Sequence, residues 1–387
     1  MRKHLALTIV PLALASSIAA AQEKPPNERE TRLTSLEEIL VTAQKRESSL
    51  QDTPISIAAF SGEQLERFGI DDFGDLAGLA PNVDITPFPN SRSSLVVFMR
   101  GVGNNDSQTT QDPAVGVYID GVYVGRSVGL TGDIANIARV EVLRGPQGTL
   151  FGKNPIAGIF NVASRGAPAN VGSEGRLAYK HEEYGEQRLE AALGYRLSPS
   201  LGLRIAVLDW QRDGRLENTF LDRKEDDRDQ QAWRLKLEWQ PRDDLSLELL
   251  AQQSDTHVNF WPRQLMALDQ DTRDYLQNFD PEIEDDPYDF QTSFSEPGTL
   301  YQGSDTLSLK ANWDIGPVGG LNALDTTIIA AVSWLDVEQS QDLDVSPADL
   351  LNLDEVDDYR QTSLEWRFSG SADSLFGFGQ SVEFIAG

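Results

Sequence analysis

From about residue 171 onward the chain is written in twos. Leu189, Ala191, Leu193, Tyr195 and Leu197 alternate with Arg188, Glu190, Ala192, Gly194 and Arg196. Trp233, Leu235, Leu237 and Trp239 alternate with Arg234, Lys236, Glu238 and Gln240, and the same rhythm returns at 307–314 and 364–369. A period of two is the signature of a strand with one apolar and one polar face. Runs of about ten residues, with charge on the polar face, fit strands that meet lipid outside and water inside. Past the N-terminal segment no apolar run approaches the roughly 18 residues of a spanning helix. The longest, residues 328–335, is strand-length and contains Ser333. In a membrane such a chain has one solution, a β-barrel, because lipid offers no partner to an unpaired backbone.

The links between these segments support that reading. Residues 197–201 and 240–244 are tight turns, and 316–322 is moderate. Residues 213–229, 255–303 and 339–357 are long and acidic, while 183–186 is a short exception. Alternation of short and long links is the habit of outer-membrane barrels and has no rationale in a soluble sandwich. The pattern predicts about eight strands and the start of a ninth, where a barrel that holds a plug has on the order of 22. The expectation is therefore an incomplete antiparallel transmembrane barrel over 171–387 in a C-terminally truncated chain, with roughly 300 residues missing.

At the other end, Arg2 and Lys3 precede an apolar stretch to residue 20 and the small residues Ala19, Ala20 and Ala21. This reads as a secretory signal peptide over 1–21. Residues 22–49 are polar, with Pro25 and Pro26, and read as a tether. Residues 50–170 have the texture of a small α/β domain. A strand is expected at 55–60, a helix capped by Ser61 and stopped by Gly69, and a second helix over 72–79. Further strands are expected at 94–99, 115–119, 122–124 and 137–143, with Asp120-Gly121 as a tight hairpin turn.

Composition excludes several chemistries. The chain has 61 acidic against 33 basic residues and a net charge of -28, which disfavours nucleic acid. It has no cysteine and three histidines, which removes thiolate chemistry and disfavours imidazole metal clusters. The glycines at 145, 148, 152 and 158 do not form a phosphate loop, because Gln147 and Asn154 stand where glycine and Ser or Thr are needed. Asp342 and Asp344 begin a calcium-like loop, but Pro347 and Leu353 occupy the turn-glycine and bidentate-glutamate positions. No metal, cofactor or catalytic residue is expected.

Glu38, Ile39, Leu40, Val41, Thr42 and Ala43 resemble the TonB box of TonB-dependent outer-membrane receptors. Six motifs downstream of it are similar to those of their plug domain: LQDTPISI at 50–57, MRGVG at 99–103, VYIDGVY at 117–123, VEVLRGP at 140–146, GTLFGKN at 148–154 and GIFNV at 158–162. Each motif is weak alone, but the ordered set is specific. Ala157, Pro155 and Phe160 depart from the family pattern. The resemblance implies an α/β plug followed by the barrel, in the bacterial outer membrane, and no enzyme activity. It implies that the box pairs with TonB, whose energised pull rearranges the plug and admits a ligand such as a ferric siderophore, vitamin B12 or an oligosaccharide. It also implies that Arg100 and Arg144 seat the plug against barrel carboxylates, for which Glu190, Glu238 and Glu365 are available. Partners are then TonB, outer-membrane lipid and the ligand, for a monomer. A signalling receptor is disfavoured because residues 22–37 are too few to form an extra domain. A non-transporting β-rich binding protein is the other alternative. The aromatics between 255 and 303, among them Tyr275, Phe279, Phe290 and Phe294, either stack on a ligand or pack the link against itself.

Overall fold

The computed structural model describes residues 40–42, 44–46, 48–88, 91–104, 111–126, 136–152, 154–259, 263–373 and 381–387. The expected signal peptide, and Glu38, Ile39 and Ala43 of the box, lie outside the described residues, as do Phe260 and Trp261.

The α/β part begins with a two-residue ladder, β1 (Leu40–Val41) against β2 (Ser48–Ser49). Strand β3 (Ile57–Ser61) runs into α1 (Gly62–Phe68). Ser61 and Gln64 form a reciprocal capping box and the helix ends at Gly69, as the sequence implies. The second expected helix is only a 3-10 turn at Gly74–Leu76. Asp75 explains this: its carboxylate accepts from the amides of Asp71 and Asp72, offering the backbone a turn in place of a helix. Strands β4 (Val83–Phe88), β5 (Ser91–Met99) and β6 (Val102–Gly103) form a small antiparallel sheet.

Strands β7 (Val115–Ile119), β8 (Val122–Val124) and β9 (Ile137–Arg144), the single turn α2 (Gly148–Phe151) and β10 (Gly158–Ser164) complete this part. With β3 they make a sheet of order β3-β9-β10-β7-β8, parallel only between β10 and β7. Asp120 and Gly121 both take positive φ, 49° and 85°, as a two-residue hairpin of this hand requires. Apolar faces of the two sheets meet over Leu76, Leu95, Met99, Val140 and Phe160. The unusual Phe160 is fully buried, edge-on to Phe73 at 5.0 Å between ring centres. Ala157 is buried in the same core, where its amide donates to the Ala114 carbonyl at 3.1 Å.

The alternating region forms one antiparallel sheet of nine strands among the described residues. It contains β11 (Gly172–His181), β12 (Gln187–Ser198) and β13 (Leu201–Arg212). After the short strands β14 (Leu216–Asn218) and β15 (Arg223–Glu225) come β16 (Arg228–Arg242) and β17 (Leu245–Asn259). After α3 (Gln270–Leu276) and β18 (Gln291–Thr292) come β19 (Thr299–Asp314), β20 (Ala323–Asp342), β21 (Asn352–Asp373) and β22 (Ser381–Ala386). Leu193, Leu309 and Leu364 on the outward face are exposed, while Arg188, Arg204, Arg234 and Lys236 on the inward face are buried. Trp239, Trp313 and Trp366 mark the short-link end of the exposed apolar band, where amphipathic rings favour a lipid boundary. No helix among the described residues is long and apolar enough to cross a membrane.

Several strands exceed their sequence expectation. β20 has 20 residues and β21 has 22, against the ~9–11 that cross a bilayer. Their extra length lies toward the long links, where the outward face turns from apolar to acidic while Leu335 and Val337 stay buried inside. The links fold too. β14, β15 and β18 form a small sheet, and Leu276, Ile283 and Ala348 form an apolar cluster. Asp342 accepts from Ser295 and Val345, and Asp344 from the amides of Leu350 and Leu351, so these carboxylates serve as turn acceptors.

Glu225 is fully buried in this layer. Burial pushes its carboxyl up to about 7, against the opposing pull of Arg223 and Asn218 and with Asp227 adding to the rise. A raised carboxyl stabilises the fold fully below its ordinary range, and that contribution is lost as pH rises through the folded value. The protection factor of the amides across β14 and β15, their exchange corrected for the intrinsic rate at each pH, should therefore fall by at least about tenfold between pH 5 and pH 8. Glu225→Gln should keep that protection factor flat. The same pH dependence in the variant would show that another group titrates.

Candidate coupling site and plug seat

The described residues of the box are docked. Val41 is fully buried against Leu143, Phe151 and Ile159, while Leu40 is about half exposed. Burying such a side chain is worth about 1.5–3 kcal/mol. Thr42 is held by a polar node built on Glu141. The Thr42 amide donates to Glu141 Oε1 at 2.8 Å and its hydroxyl to the same oxygen at 3.2 Å. That hydroxyl accepts from Asn161 Nδ2 at 3.0 Å and Arg139 Nη2 at 3.1 Å. Arg139 Nε and Asn161 Nδ2 also reach Glu141, at 2.7 and 3.0 Å. A fully buried carboxylate survives only with partners of this kind. Glu141 was not singled out by the sequence reading. Its signal was there: an acidic residue between Val140 and Val142, in a strand flanked by strands on both sides.

Lys45, just past the box, anchors the segment to the barrel wall. Its ammonium lies 3.2 Å from Glu365 and over the rings of Phe151 and Tyr118, at 4.3 and 4.8 Å. Burial pushes this ammonium below its ordinary range; Glu365 pulls it back up and Arg367 pushes it down. Arg46 pairs with Glu383. Glu383 lies opposite Ser371, near the last residue of β21, so the box sits at the short-link end of the wall.

Beside the Lys45–Glu365 and Arg46–Glu383 pairs, several contacts at the plug seat have the wall supplying the cation and the plug the carboxylate. Lys236 reaches Asp120 at 2.9 Å, with both side chains buried, and Ser164 donates twice to the same carboxylate. Burial pushes the Asp120 carboxyl up, but Lys236, Arg234 and Ser164 outweigh it and hold it below the ordinary range. Arg188 meets Asp71 at 3.4 Å and Arg228 meets Asp72 at 3.7 Å. The ring of Trp210 lies under both guanidiniums, at 4.4 and 3.9 Å. Arg176 reaches Glu66 at 2.8 Å, and Arg204 donates to Asn136 at 2.9 Å.

Arg100 and Arg144 are placed otherwise. Arg100 is exposed, with a positive φ of 53°, and its guanidinium lies beside Gly145. Arg144 donates to the Pro81 carbonyl at 3.2 Å. Among the described residues neither has a barrel carboxylate within ion-pair reach. The three glutamates are engaged elsewhere. Glu190 holds Arg188 at 2.7 Å, and Glu365 holds Lys45 and Arg367. Glu238 holds Arg196 at 2.6 Å and accepts from the Ala167 amide at 3.1 Å. At Gly166 the approach is so close that a Cβ would stand 2.0 Å from Glu238 Oε1. Two of the three glutamates thus do touch the plug segment, through Lys45 and the Ala167 amide. In the long links Tyr275 and Phe279 stack on each other at 5.4 Å and Phe294 is buried, which is packing, while Tyr288 is almost fully exposed.

Residues 49–159 match the family model of the TonB-dependent receptor plug domain. The pesticin receptor of Yersinia pestis is 30% identical over 158 residues, covering 41% of this chain and 22% of that protein. The vitamin B12 transporter BtuB of Vibrio vulnificus is 26% identical over 170 residues, covering 43% and 26%. Among solved structures, the ferric yersiniabactin uptake receptor FyuA from Yersinia pestis superposes with a TM-score of 0.64 at 19% identity, covering 82% of this chain and 46% of that one. The ferripyoverdine receptor of Pseudomonas aeruginosa gives 0.67 at 14% identity, covering 89% and 43%. The chain thus spans about a quarter of the curated relatives it matches. The structural likeness, at these identities, is one of fold.

Proposed function

We propose that this chain, a member of the TonB-dependent outer-membrane receptors by its plug domain and antiparallel wall, serves energised import across the outer membrane. The observation that carries the proposal is the docked box. Leu40 and Val41 form a short strand, followed by Thr42, directly before the plug at the short-link end, held by one buried residue and one polar node. A segment of this kind suits addition as a strand to the sheet edge of a partner. TonB is that partner, and Glu38 to Ala43 is the segment it pairs with. With Val41 buried and the Thr42 amide occupied, pairing requires the box to leave its seat first. Traction then passes through Lys45 and the Glu141 node into the plug. Arg100 and Arg144 remain proposed seating groups for the plug.

The ligand class is proposed as an iron chelate, a corrinoid such as vitamin B12, or an oligosaccharide. The names of the relatives, a pesticin receptor and a vitamin B12 transporter, support import of this kind without choosing among the three. The test is uptake of labelled ligand by cells carrying the parent protein. A protonophore should stop accumulation while leaving surface binding within about twofold, because only the pulled step draws on the proton gradient. Uptake that persists without the gradient would remove energised transport.

A further inference from the structure

A cavity of about 140 Å³ lies between the β7–β8 hairpin and the inner faces of β16 to β21. That is room for on the order of ten waters. The chain has 61 acidic side chains, yet among the described residues no carboxylate lines this cavity. Its charged lining residues are Arg126 and Arg234; most of the rest is apolar, such as Phe73, Val122 and Leu250, with a few hydroxyls and amides such as Ser254, Ser304 and Gln252. Arg126 Nη1 is paired with Asp112 at 2.6 Å, but its buried Nε has no partner, and neither has the buried hydroxyl of Ser254. Arg234 Nε donates to Gln252 at 3.0 Å. The cavity therefore sets two guanidiniums, each with a carboxylate beyond the lining to balance it, and two unmet polar atoms in a largely apolar wall. Low-dielectric walls around one sign of charge concentrate ions of the opposite sign.

β8 is an edge strand held to β7 by three facing pairs. The wall clamps the hairpin at its turn through Lys236 and Asp120, packs Ile329 and Ala331 on Val122, and latches the far end of β8 at two further points. Gln361 Nε2 donates to the Tyr123 carbonyl at 2.6 Å, and Arg126 lies over the ring of Tyr359 at 4.8 Å. The hairpin is also in contact with the docked box segment. Lys45 lies over Tyr118, whose ring is 5.3 Å from that of Tyr123.

We propose that this cavity is a waypoint for an anionic ligand crossing along the wall, entered when the β7–β8 hairpin leaves Gln361. The proposal rests on the import reading and adds the charge of the ligand and the element that yields. It excludes cationic ligands as preferred cargo. It also makes Arg126 and Arg234 specificity-determining and Gln361 a positioning residue.

The chain contains no cysteine, so single thiols can be placed in it without background. Ser254→Cys and Ser304→Cys put a thiol in the cavity, and Thr362→Cys puts one on the exposed face of β21 as the reference. The full chain in membranes is treated with an anionic reagent, 2-sulfonatoethyl methanethiosulfonate, and a cationic one, its trimethylammonium counterpart. The anionic-to-cationic rate ratio at positions 254 and 304, divided by that at 362, should be about ten or more. Arg126→Gln with Arg234→Gln should bring it toward one. Gln361→Ala should speed both reagents by about tenfold and leave the ratio unchanged, as loss of one latch predicts. A ratio of one or below would overturn the anionic assignment. Failure of both cavity thiols to react in the Gln361→Ala background, with position 362 labelled, would overturn the hairpin as the entrance. These rates need no proton gradient, so a failed uptake experiment would refute import and leave the labelling result standing.

Discussion

Val41→Pro should reduce energised uptake by the parent protein by about a hundredfold and leave surface binding of ligand within about twofold. Proline in a strand interior removes a ladder N–H and fixes φ; leaving the facing acceptor unmet costs about 1–3 kcal/mol, up to about two decades in a pairing constant. On the proposed reading the ligand meets the opposite end of the molecule, where the long links fold. Val41 is also the buried residue of the docked box, so the substitution frees the segment as well as spoiling it. Glu141→Gln separates the two effects. It keeps the shape of the seat and removes the charge that gathers the Thr42 amide, Arg139 and Asn161. Charge-assisted bonds of this type contribute about 1.5–3 kcal/mol. The box should then be released more often, and amides at 40–49 should exchange at least about tenfold faster. A soluble fragment of TonB should bind more tightly, because the undocked form is the one that pairs. Weaker binding by Glu141→Gln would mean that TonB recognises the docked box, and that pairing precedes release.

The wall was legible because lipid enforces a period of two. Rows such as Leu307, Leu309, Ala311 and Trp313 are outward in the structure as in the pattern. Where lipid ends, so does the signal. Outward Asp336 and Glu338 alternate with inward Val337 and Gln339, and register with β21 continues through them by backbone pairing and the Gln339–Glu355 hydrogen bond. Sequence therefore reads 339–357 as a link, while β20 reaches Asp342 and β21 starts at Asn352. In the plug, the helix and most strands follow from caps and apolar runs. β4 was missed because it is short and carries Pro87, a residue that argues against a strand. The site was half legible. The box is recognisable from its place before the plug motifs. Its seat is not, because Thr42 and Glu141 are 99 residues apart and meet only once the sheet is built. The wall cations that meet plug carboxylates were missed for the same reason. Asp120 has a sufficient local explanation as a turn residue, and Lys236 as one polar position in a wall strand. Only the fold shows that they touch.

That pair is where a single change should matter most for plug retention. Lys236→Met keeps much of the side-chain volume and leaves Asp120 buried without its cation. Breaking a buried pair on one side costs about 3–5 kcal/mol. The plug should then come away from the wall at clearly lower urea concentration, seen as an early step in the tryptophan fluorescence of the chain. Asp120→Asn keeps the turn, since asparagine tolerates the positive φ of 49° found there. The double variant Asp120→Asn with Lys236→Met should recover much of the loss, because the orphaned charge is gone. The cost of Lys236→Met would then depend on Asp120, which is the mark of direct contact. The pH dependence has a defined sign. Asp120 is held below the ordinary carboxylate range, so its contribution is complete above about pH 4 and fades as pH falls through the lower folded value. Acid should loosen the native plug only below that point, and Asp120→Asn should remove this part of the sensitivity. If the double variant is as weak as Lys236→Met alone, the clamp lies elsewhere. The Arg188–Trp210–Arg228 stack on Asp71 and Asp72 is then the next place to cut.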